Sequence, residues 1–324
     1  MRVTTDMIRP ELRGCAAVLR LLMPPYTLGR FRFEKAMCRL LRGVHSRRMR
    51  FEQVFLPRAG KSRLRLCVYA PKEPKAGAPG LLWLHGGGYA IGAPEQDEGT
   101  IWRFVRASGC TVVAPDYTLS LDAPYPAALD DAYAALLWLR DNCEKYGARE
   151  DQLFVAGQSA GGGLAAALAL YARDRGEVSL AYMMPLYPML DDRMETRSMR
   201  DNDAPAWNAK SNDVAWRLYL GDLFGASGVP AYAAPSRAAD LSDLPPACSF
   251  VGSIDPFCDE TRAFFDRLNQ QGIPARLKVF EGCFHGFDLF RPKSEVGKEA
   301  AAFTMDAFLY AAAHYTAAQP EREP

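Results

Sequence analysis

Short apolar runs alternate along this chain with longer segments in which apolar residues recur at helical spacing. The runs predict eight strands, the first two forming a hairpin, at 51–56, 63–69, 81–85, 111–115, 152–156, 180–186, 247–252 and 276–280. The longer segments predict helices near 97–108, 127–145, 160–173, 259–271 and 296–315. This alternation predicts an α/β fold, with a mostly parallel eight-stranded sheet flanked by helices on both faces.

Two regions interrupt the alternation. The N-terminal residues predict one helix capped by Asp6 and running to Leu22, and a second from about Arg30 to Leu41. An irregular insert at about 190–240 follows the sixth strand. Four aromatic residues in this insert are candidates to line a pocket, although such residues more often belong to the core: Trp207, Trp216, Tyr219 and Phe224.

A Gly-x-Ser-x-Gly pentapeptide centred on Ser159 lies between a predicted strand and a predicted helix. A sharp turn at this point lifts the serine hydroxyl clear of its neighbours, and Gly157 and Gly161 leave room for strained backbone and close packing. Small residues around a buried serine also occur in structural turns. Ser159 is nevertheless the candidate nucleophile, because other motifs in the chain supply the remaining groups that a serine nucleophile needs.

The first matching part is the glycine-rich turn His85-Gly86-Gly87-Gly88, which follows another predicted strand. Successive glycines let backbone N–H groups converge on one point, where they stabilise the negative charge that acyl transfer builds on a carbonyl oxygen. Loss of one such donor typically costs roughly 3 kcal/mol. A phosphate-binding loop would need different glycine spacing at the start of a helix. The turn therefore predicts an oxyanion hole, with His85 and Gly86 as its supporting loop.

The candidate acid and base follow two later strands. Asp255 comes after the strand at 247–252, and His285 lies on a glycine-flanked loop after the strand at 276–280. In this arrangement His285 takes the proton of Ser159, while Asp255 holds the imidazole ring and stabilises its charged form.

Other candidates for these roles fit less well. The chain has four histidines; we expect His45 to be a solvated surface group, His314 to be structural, and His85 to brace the glycine-rich turn. Asp259 and Glu260 are rival acids, but we expect them to begin the following helix, where the positive end of the helix dipole favours carboxylates.

These motifs together resemble the hormone-sensitive-lipase branch of the α/β-hydrolases, in its bacterial acetyl esterase type. The matching segments are 85–88, 157–162, 255–256 and 285–287, with further matches at 116–119 and 125–131. The resemblance covers roughly residues 50 to 318. It implies an α/β-hydrolase fold, hydrolysis of carboxylic esters with short acyl chains, no cofactor and no metal. It also implies that the oxyanion donors are the N–H groups of Gly87, Gly88 and Ala160.

The sequence departs from this family's pattern at two places. Gln158 stands where the family has Asp before the nucleophile, and Thr118-Leu119-Ser120-Leu121-Asp122 replaces the usual Arg-Leu-Ala-Pro-Glu. Gln158 keeps hydrogen-bonding capacity but removes a charge beside the nucleophile, which would alter loop bracing or the pH profile. No residue of the Ser159, Asp255 and His285 set is lost, so we expect activity to survive.

The resemblance also gives the two interrupting regions a role. We expect one domain spanning residues 1–324, with a helical cap formed by about 1–48 and 190–240. Residues 1–50 contain twelve Lys/Arg and three Asp/Glu, an excess of nine positive charges. Basic helices of this kind also bind membrane surfaces, which remains an alternative to the cap.

Composition excludes several function classes. The chain has 324 residues, 49% hydrophobic residues and a formal net charge of +1, which is ordinary for a globular protein and argues against nucleic-acid binding. No uninterrupted apolar run is long enough to span a bilayer, and the N-terminus lacks a signal-peptide pattern. The expected partner is a small-molecule ester, and a homodimer is among the candidate assemblies.

Eight cysteines occur without Cys-x-x-Cys pairs, which argues against a zinc site and a disulfide framework and favours a reducing cytoplasm. Cys258 and Cys283 lie near Asp255 and His285 in sequence; they either fill space or, as a second hypothesis, dampen activity when oxidised.

The sequence therefore predicts a serine carboxylesterase that works through an acyl-enzyme. Two alternatives stay open. An amide or carbamate hydrolase would use the same residues, because the substrate pocket rather than the catalytic residues selects the leaving group. A non-catalytic ligand-binding relative is the other alternative, and the presence of His285 argues against it.

Overall fold

A computed structural model describes residues 1–58, 61–73 and 76–321. In these residues eight strands form one sheet: β1 (Arg50–Arg58), β2 (Lys61–Ala70), β3 (Ala78–Leu84), β4 (Thr111–Pro115), β5 (Ala148–Gln158), β6 (Tyr182–Leu186), β7 (Ala247–Gly252) and β8 (Ala275–Phe280). Their order is β1-β2-β4-β3-β5-β6-β7-β8. The β1/β2 and β2/β4 pairs are antiparallel, and the other pairs are parallel. The predicted mostly parallel, eight-stranded sheet is confirmed.

The described residues form the following α-helices: α1 (Arg13–Leu22), α2 (Leu28–Arg39), α3 (Glu98–Ser108), α4 (Ala127–Asn142), α5 (Ala160–Arg175), α6 (Ala209–Leu220), α7 (Cys258–Gln270), α8 (Phe287–Phe290) and α9 (Glu295–His314). No helix in the described part of the chain combines the length and the apolar composition that crossing a membrane requires.

The sheet separates two apolar layers. Strands β3, β4, β6 and β7 are buried along their whole length, and successive side chains point to opposite faces. Leu82 and Val155 belong to the layer that contains α4, α5 and α7. Leu81 and Phe154 belong to the layer that contains α3 and α9. Burial on both faces explains why these strands read as continuous apolar runs.

The N-terminal prediction was wrong in one detail. Asp6 does not begin a helix; a short 3-10 turn at Pro10–Leu12 precedes α1, which starts at Arg13. A helix starting after Asp6 would have Pro10 in its interior, where the ring lacks a hydrogen-bond donor and obstructs the preceding turn. Helix α2 begins earlier than predicted, because the side chain of Thr27 accepts a hydrogen bond from the N–H of Arg30 and caps it.

The N-terminal segment (residues 1–48) packs against the insert (residues 190–240). The N–H of Tyr26 donates to Oγ of Ser211 at 3.0 Å. The rings of Tyr26 and Phe31 lie 5.6 and 6.3 Å from the ring of Trp207. Trp207 in turn lies 6.3 Å from the ring of His285. The two regions that interrupt the strand–helix alternation therefore meet above the carboxyl ends of the parallel strands.

Candidate active site

Ser159 occupies a strained turn between β5 and α5. Its backbone has φ 59° and ψ −122°, a region that non-glycine residues rarely adopt. A Cβ on Gly157 would lie 2.3 Å from the carbonyl oxygen of Gly161, and a Cβ on Gly161 would lie 2.1 Å from that of Leu84. Both positions therefore admit only glycine. Steric constraints in this turn thus explain the two glycines of the pentapeptide.

Ser159, His285 and Asp255 form a hydrogen-bonded chain. Oγ of Ser159 donates to Nε2 of His285 at 2.8 Å, and Nδ1 of His285 donates to Oδ2 of Asp255 at 2.8 Å. The other carboxylate oxygen of Asp255 accepts the N–H of Phe257 at 2.9 Å. All three polar side chains are buried. The structure thus brings together residues that lie far apart in sequence.

Aromatic rings hold the imidazole of His285. Tyr187 and Phe257 both lie 5.1 Å from it, at interplanar angles of 83° and 86°. Edge-to-face packing on two sides restricts rotation of the ring. The imidazole is therefore kept in the plane that reaches both Ser159 and Asp255.

The backbone of the glycine-rich turn has positive φ angles, which glycine adopts readily. Gly87 and Gly88 have φ values of 125° and 58°, and a Cβ on Gly87 would lie 2.2 Å from the carbonyl oxygen of Ile91. In the described part of the chain, the N–H groups of Gly87, Gly88 and Ala160 have no hydrogen-bond acceptor. These three donors remain available to a bound group.

His85 lies beneath this turn. Its ring stacks on Tyr117 at 4.1 Å, Nδ1 donates to the carbonyl oxygen of Gly86 at 2.9 Å, and the hydroxyl of Tyr117 donates to the carbonyl oxygen of His85 at 2.8 Å. Burial lowers the pKa of His85, so its imidazole is neutral at neutral pH. His85 thus supports the loop rather than competing with His285 for Ser159.

A second hydrogen-bonded group lies behind the nucleophile, and sequence reasoning missed most of it. Nε2 of Gln158 donates to Oδ1 of Asp97 at 2.7 Å, and Nε1 of Trp83 donates to Oδ2 of Asp97 at 2.8 Å. The hydroxyl of Tyr187 donates to Oε1 of Gln158 at 3.1 Å. Burial raises the pKa of Asp97 to about 7. Gln158 is therefore bound on both ends of its amide, by a carboxyl and by a phenol.

A cavity of about 140 Å³ opens onto Ser159 and His285. Its wall contains Gly86, Gly87 and Gly88 from the glycine-rich turn. The N-terminal segment, the insert and the region around α8 contribute Met23, Tyr26, Trp207, Leu289 and Phe290. Gln158 and Tyr187 of the second hydrogen-bonded group also line it. Two larger grooves of about 660 and 1320 Å³ contain none of the predicted site residues in their walls, although the larger groove shares Met23 and Tyr26 with the cavity.

The rival residues have other roles. Oδ2 of Asp259 accepts the N–H of Ser198 at 2.7 Å, and Oε1 of Glu260 accepts the N–H of Leu190 at 2.7 Å. Both lie in the first turn of α7, as expected. His45 and His314 are exposed. In the described residues, no group of three or more His, Cys, Asp or Glu side chains is arranged to hold a metal.

Cys258 and Cys283 are both buried, and burial raises the pKa of both thiols, that of Cys283 to about 12. A raised pKa leaves little of the reactive thiolate at neutral pH. The space-filling interpretation of these residues is therefore the better supported of the two.

Comparison with known proteins agrees with this geometry. A family model described as the alpha/beta hydrolase fold matches residues 81–289. The chain belongs to this family. The segment it matches contains the glycine-rich turn, Ser159, Asp255 and His285.

Several relatives by sequence and by structure are named esterases or ester hydrolases. Esterase LipI of Mycobacterium tuberculosis is 35% identical over 214 residues, which is 66% of this chain and 67% of that protein. Ethyl acetate hydrolase of Pseudomonas putida is 27% identical over 68% of this chain and 70% of its own length. A bacterial heroin esterase superposes with a TM-score of 0.86 at 33% identity, covering 95% of this chain and 99% of that one. These relationships place the chain among the carboxylic ester hydrolases.

Proposed function

We propose that the protein is a serine carboxylesterase in which Ser159 is the nucleophile, His285 the general base and Asp255 the residue that orients it. The observation that carries this proposal is the pair of 2.8 Å hydrogen bonds joining the three side chains. A serine hydroxyl is a weak nucleophile alone, and a base within hydrogen-bond reach removes its proton as it attacks.

The reaction proceeds in two half-reactions. His285 accepts the proton of Ser159 as Oγ attacks the ester carbonyl, and the imidazolium is stabilised by Asp255. His285 then gives the proton to the departing alcohol, which leaves an acyl group on Ser159. Water enters, loses a proton to His285 and attacks the acyl group, so that the acid is released and Ser159 regains its proton.

The negative charge that develops in each half-reaction needs donors. The N–H groups of Gly87, Gly88 and Ala160 are the proposed oxyanion hole. Their lack of acceptors within the described chain supports this role, as does the position of Gly87 and Gly88 in the cavity wall. The strained glycine backbone fixes these donors before substrate arrives, so no reorganisation is needed in the transition state.

The proposed substrates are esters with short acyl chains, of the acetyl type. A cavity of about 140 Å³ lies below the range of roughly 300–1,000 Å³ that holds drug-sized ligands. Trp207 closes it on one side, since a Cβ on Gly88 would lie 2.6 Å from the Trp207 ring. Similarity to a protein named ethyl acetate hydrolase agrees with a small acyl group.

We also propose one catalytic domain with a cap made of residues 1–48 and 190–240. Met23 and Tyr26 from the first region and Ala206 and Trp207 from the second line the cavity. The cap therefore supplies pocket walls, whereas the strand ends supply Ser159, Asp255 and His285.

The test compares hydrolysis of p-nitrophenyl acetate, butyrate and decanoate by the wild type, Ser159→Ala and the control Ser227→Ala, whose side chain is exposed. We expect turnover on acetate and butyrate, little on decanoate, and loss of about 10⁴-fold or more in kcat only in Ser159→Ala. Equal rates on p-nitrophenyl acetate and its matched amide, p-nitroacetanilide, would favour an amide hydrolase. Folded wild-type protein that hydrolyses none of these compounds would refute the proposal.

A further inference from the structure

A groove of about 660 Å³ lies beside the β1/β2 hairpin. Its walls come from this hairpin, from the end of α2 and the residues after it, and from residues 116–123, which follow β4. None of its lining residues lines the cavity that contains Ser159 and His285. The groove is therefore separate from the candidate active site.

Positive charge is concentrated in the walls of this groove. Five arginines and two carboxylates line it: Arg39, Arg42, Arg58, Arg63 and Arg65, with Asp116 and Asp122. Three further charged residues pair with these without lining the groove: Lys35, Glu95 and Asp131. When they are counted too, six cations face four carboxylates. An excess of two positive charges remains, in a chain whose formal net charge is only +1.

The excess charge belongs to Arg39 and Arg63. Both side chains are exposed, and neither has a carboxylate partner among the described residues. The side chain of Arg42 is also 47% exposed, although its Nη2 lies 2.8 Å from Oδ2 of Asp116. Guanidinium groups bind carboxylates and phosphates through pairs of parallel N–H donors. The groove thus offers unused donors to an oxyanion.

The groove also contains a fixed arginine beside an apolar ring. Arg65 is buried; its Nη1 donates to Oε1 of Glu95 at 2.5 Å, and its Nη2 lies 3.0 Å from Oδ2 of Asp116. Phe55 is paired directly with Arg65 across the β1/β2 ladder, lines the groove and is 49% exposed. An exposed ring among guanidinium groups suits an organic anion better than an inorganic ion, which has no apolar part to bury.

The volume of the groove indicates a small ligand. Cavities of roughly 300–1,000 Å³ hold drug-sized molecules, and this groove, at about 660 Å³, is within that range. A nucleic acid strand needs a basic stripe that extends along the surface. The unneutralised charge here is confined to two arginines of one groove, so a single small molecule matches it better.

We propose that this groove binds a small organic anion. Its carboxylate or phosphate group pairs with Arg39 and Arg63, and its apolar part lies against Phe55. The site is independent of the proposed ester hydrolysis, because none of the proposed catalytic residues lines the groove.

The experiment is isothermal titration calorimetry of the full-length protein at neutral pH. The ligands are phenyl phosphate and phthalate, which carry the two kinds of oxyanion on an aromatic ring, and uncharged benzyl alcohol. The test variant is Arg39→Gln/Arg63→Gln. The matched control Arg106→Gln/Arg197→Gln removes the same charge at exposed positions outside the groove. All three proteins should have the same circular dichroism spectrum and melting temperature, because the altered side chains are exposed.

We expect the wild type to bind phenyl phosphate, phthalate or both at one site, and the tighter ligand identifies the preferred oxyanion. The test variant should bind about tenfold or more weakly, because two charge-assisted contacts are lost. The control and Ser159→Ala should bind as the wild type does. Phe55→Ala should weaken binding several-fold, and added salt should weaken it in the wild type. Benzyl alcohol should show no binding that depends on the two arginines.

Four results would overturn the proposal. The first is a wild type that binds neither anion. The second is a test variant that binds as tightly as the wild type, or no more weakly than the control. The third is loss of binding in Ser159→Ala, which would place the anion in the candidate active site. The fourth is unchanged binding by Phe55→Ala, which would refute the assignment of an organic ligand. Calorimetry requires no turnover, so these results are independent of whether the protein hydrolyses esters.

Discussion

Two hydrogen-bonded networks meet at the end of β5, and they differ in the groups that their carboxyls bind. The front network joins Ser159 to His285 and Asp255, and its first two members line the cavity. The back network joins Gln158 to Asp97 and Tyr187. Gln158 and Tyr187 also line the cavity, whereas Asp97, like Asp255, is buried and does not. The last residue of β5 and the residue after it therefore anchor two networks that both reach the cavity wall and that differ in the groups bound by their carboxyls.

The difference shows that a buried carboxyl group can take part in catalysis or can stabilise the fold. Asp255 accepts a hydrogen bond from Nδ1 of His285. The imidazole of His285 gains and loses a proton during the proposed reaction. Asp97 accepts from Trp83 and Gln158, which keep their protons throughout. Loss of the front carboxylate should therefore be seen in catalysis, and loss of the back carboxyl in stability and its pH dependence.

The largest effect should come from the front network. Asp255→Asn leaves the shape of the site unchanged but favours the wrong tautomer of His285. We expect kcat on p-nitrophenyl acetate to fall by on the order of 10³–10⁴-fold. The melting temperature should change little by comparison. An Asp255→Asn enzyme that retains more than a tenth of wild-type kcat would break the distinction between the two networks.

The next effect is the pH dependence of stability in the back network. The pKa of Asp97 is raised by burial from 3.8 to about 7. The unfolded chain thus releases this proton near its ordinary pKa, whereas the folded protein keeps it until about pH 7. Stability from this group is complete at low pH and is lost as pH rises toward neutrality.

Asp97→Asn removes this titration, and Asn can still hydrogen-bond Gln158 if the glutamine amide rotates. Between about pH 4.5 and pH 8, the free energy of unfolding of the variant should therefore rise relative to wild type by on the order of 3 kcal/mol. Urea unfolding at several pH values measures it, with the exposed Asp222→Asn as control. Burial also raises the pKa of Asp288 to about 6 and that of Glu260 well above its ordinary value, but both groups are present in all three proteins. Parallel pH curves for Asp97→Asn and wild type would show that Asp97 does not titrate as stated.

A smaller loss is expected from Gln158→Met, which keeps the side-chain length but removes both polar ends. The Tyr187 hydroxyl then loses its acceptor and Asp97 loses a donor in a buried setting. We expect destabilisation of about 1–3 kcal/mol and less than a tenfold fall in kcat. The control is Gln53→Met, at an exposed position of β1. A fall in kcat as large as that of Asp255→Asn would mean that the back network takes part in catalysis.

The sequence predicts the front network better than the back network for a physical reason. Ser159, the glycine-rich turn and His285 lie in short motifs in which sterics restrict the residue type, as the contacts of Gly157, Gly161 and Gly87 show. Parallel strands end at one edge of the sheet, so the topology brings these motifs together. The departure at Gln158 was visible in the sequence, but its partner was not.

Asp97 lies 61 residues before Gln158 in a polar stretch, Pro94-Glu95-Gln96-Asp97, that reads as an ordinary helix start. Only the pairing of β3 with β5 and the burial of Trp83 reveal what Asp97 contacts. Tertiary contacts, which the sequence pattern does not show, decide this feature.

In the proposed mechanism Ser159, activated by His285 and Asp255, forms a covalent intermediate. The most direct measurement is the intact mass and peptide map of the protein after reaction with paraoxon, which transfers a diethylphosphoryl group to an activated serine. We predict one such group, on Ser159, in the wild type and none in Ser159→Ala, with much slower labelling of Asp255→Asn. Labelling at another residue, or none in folded and active wild type, would contradict this mechanism.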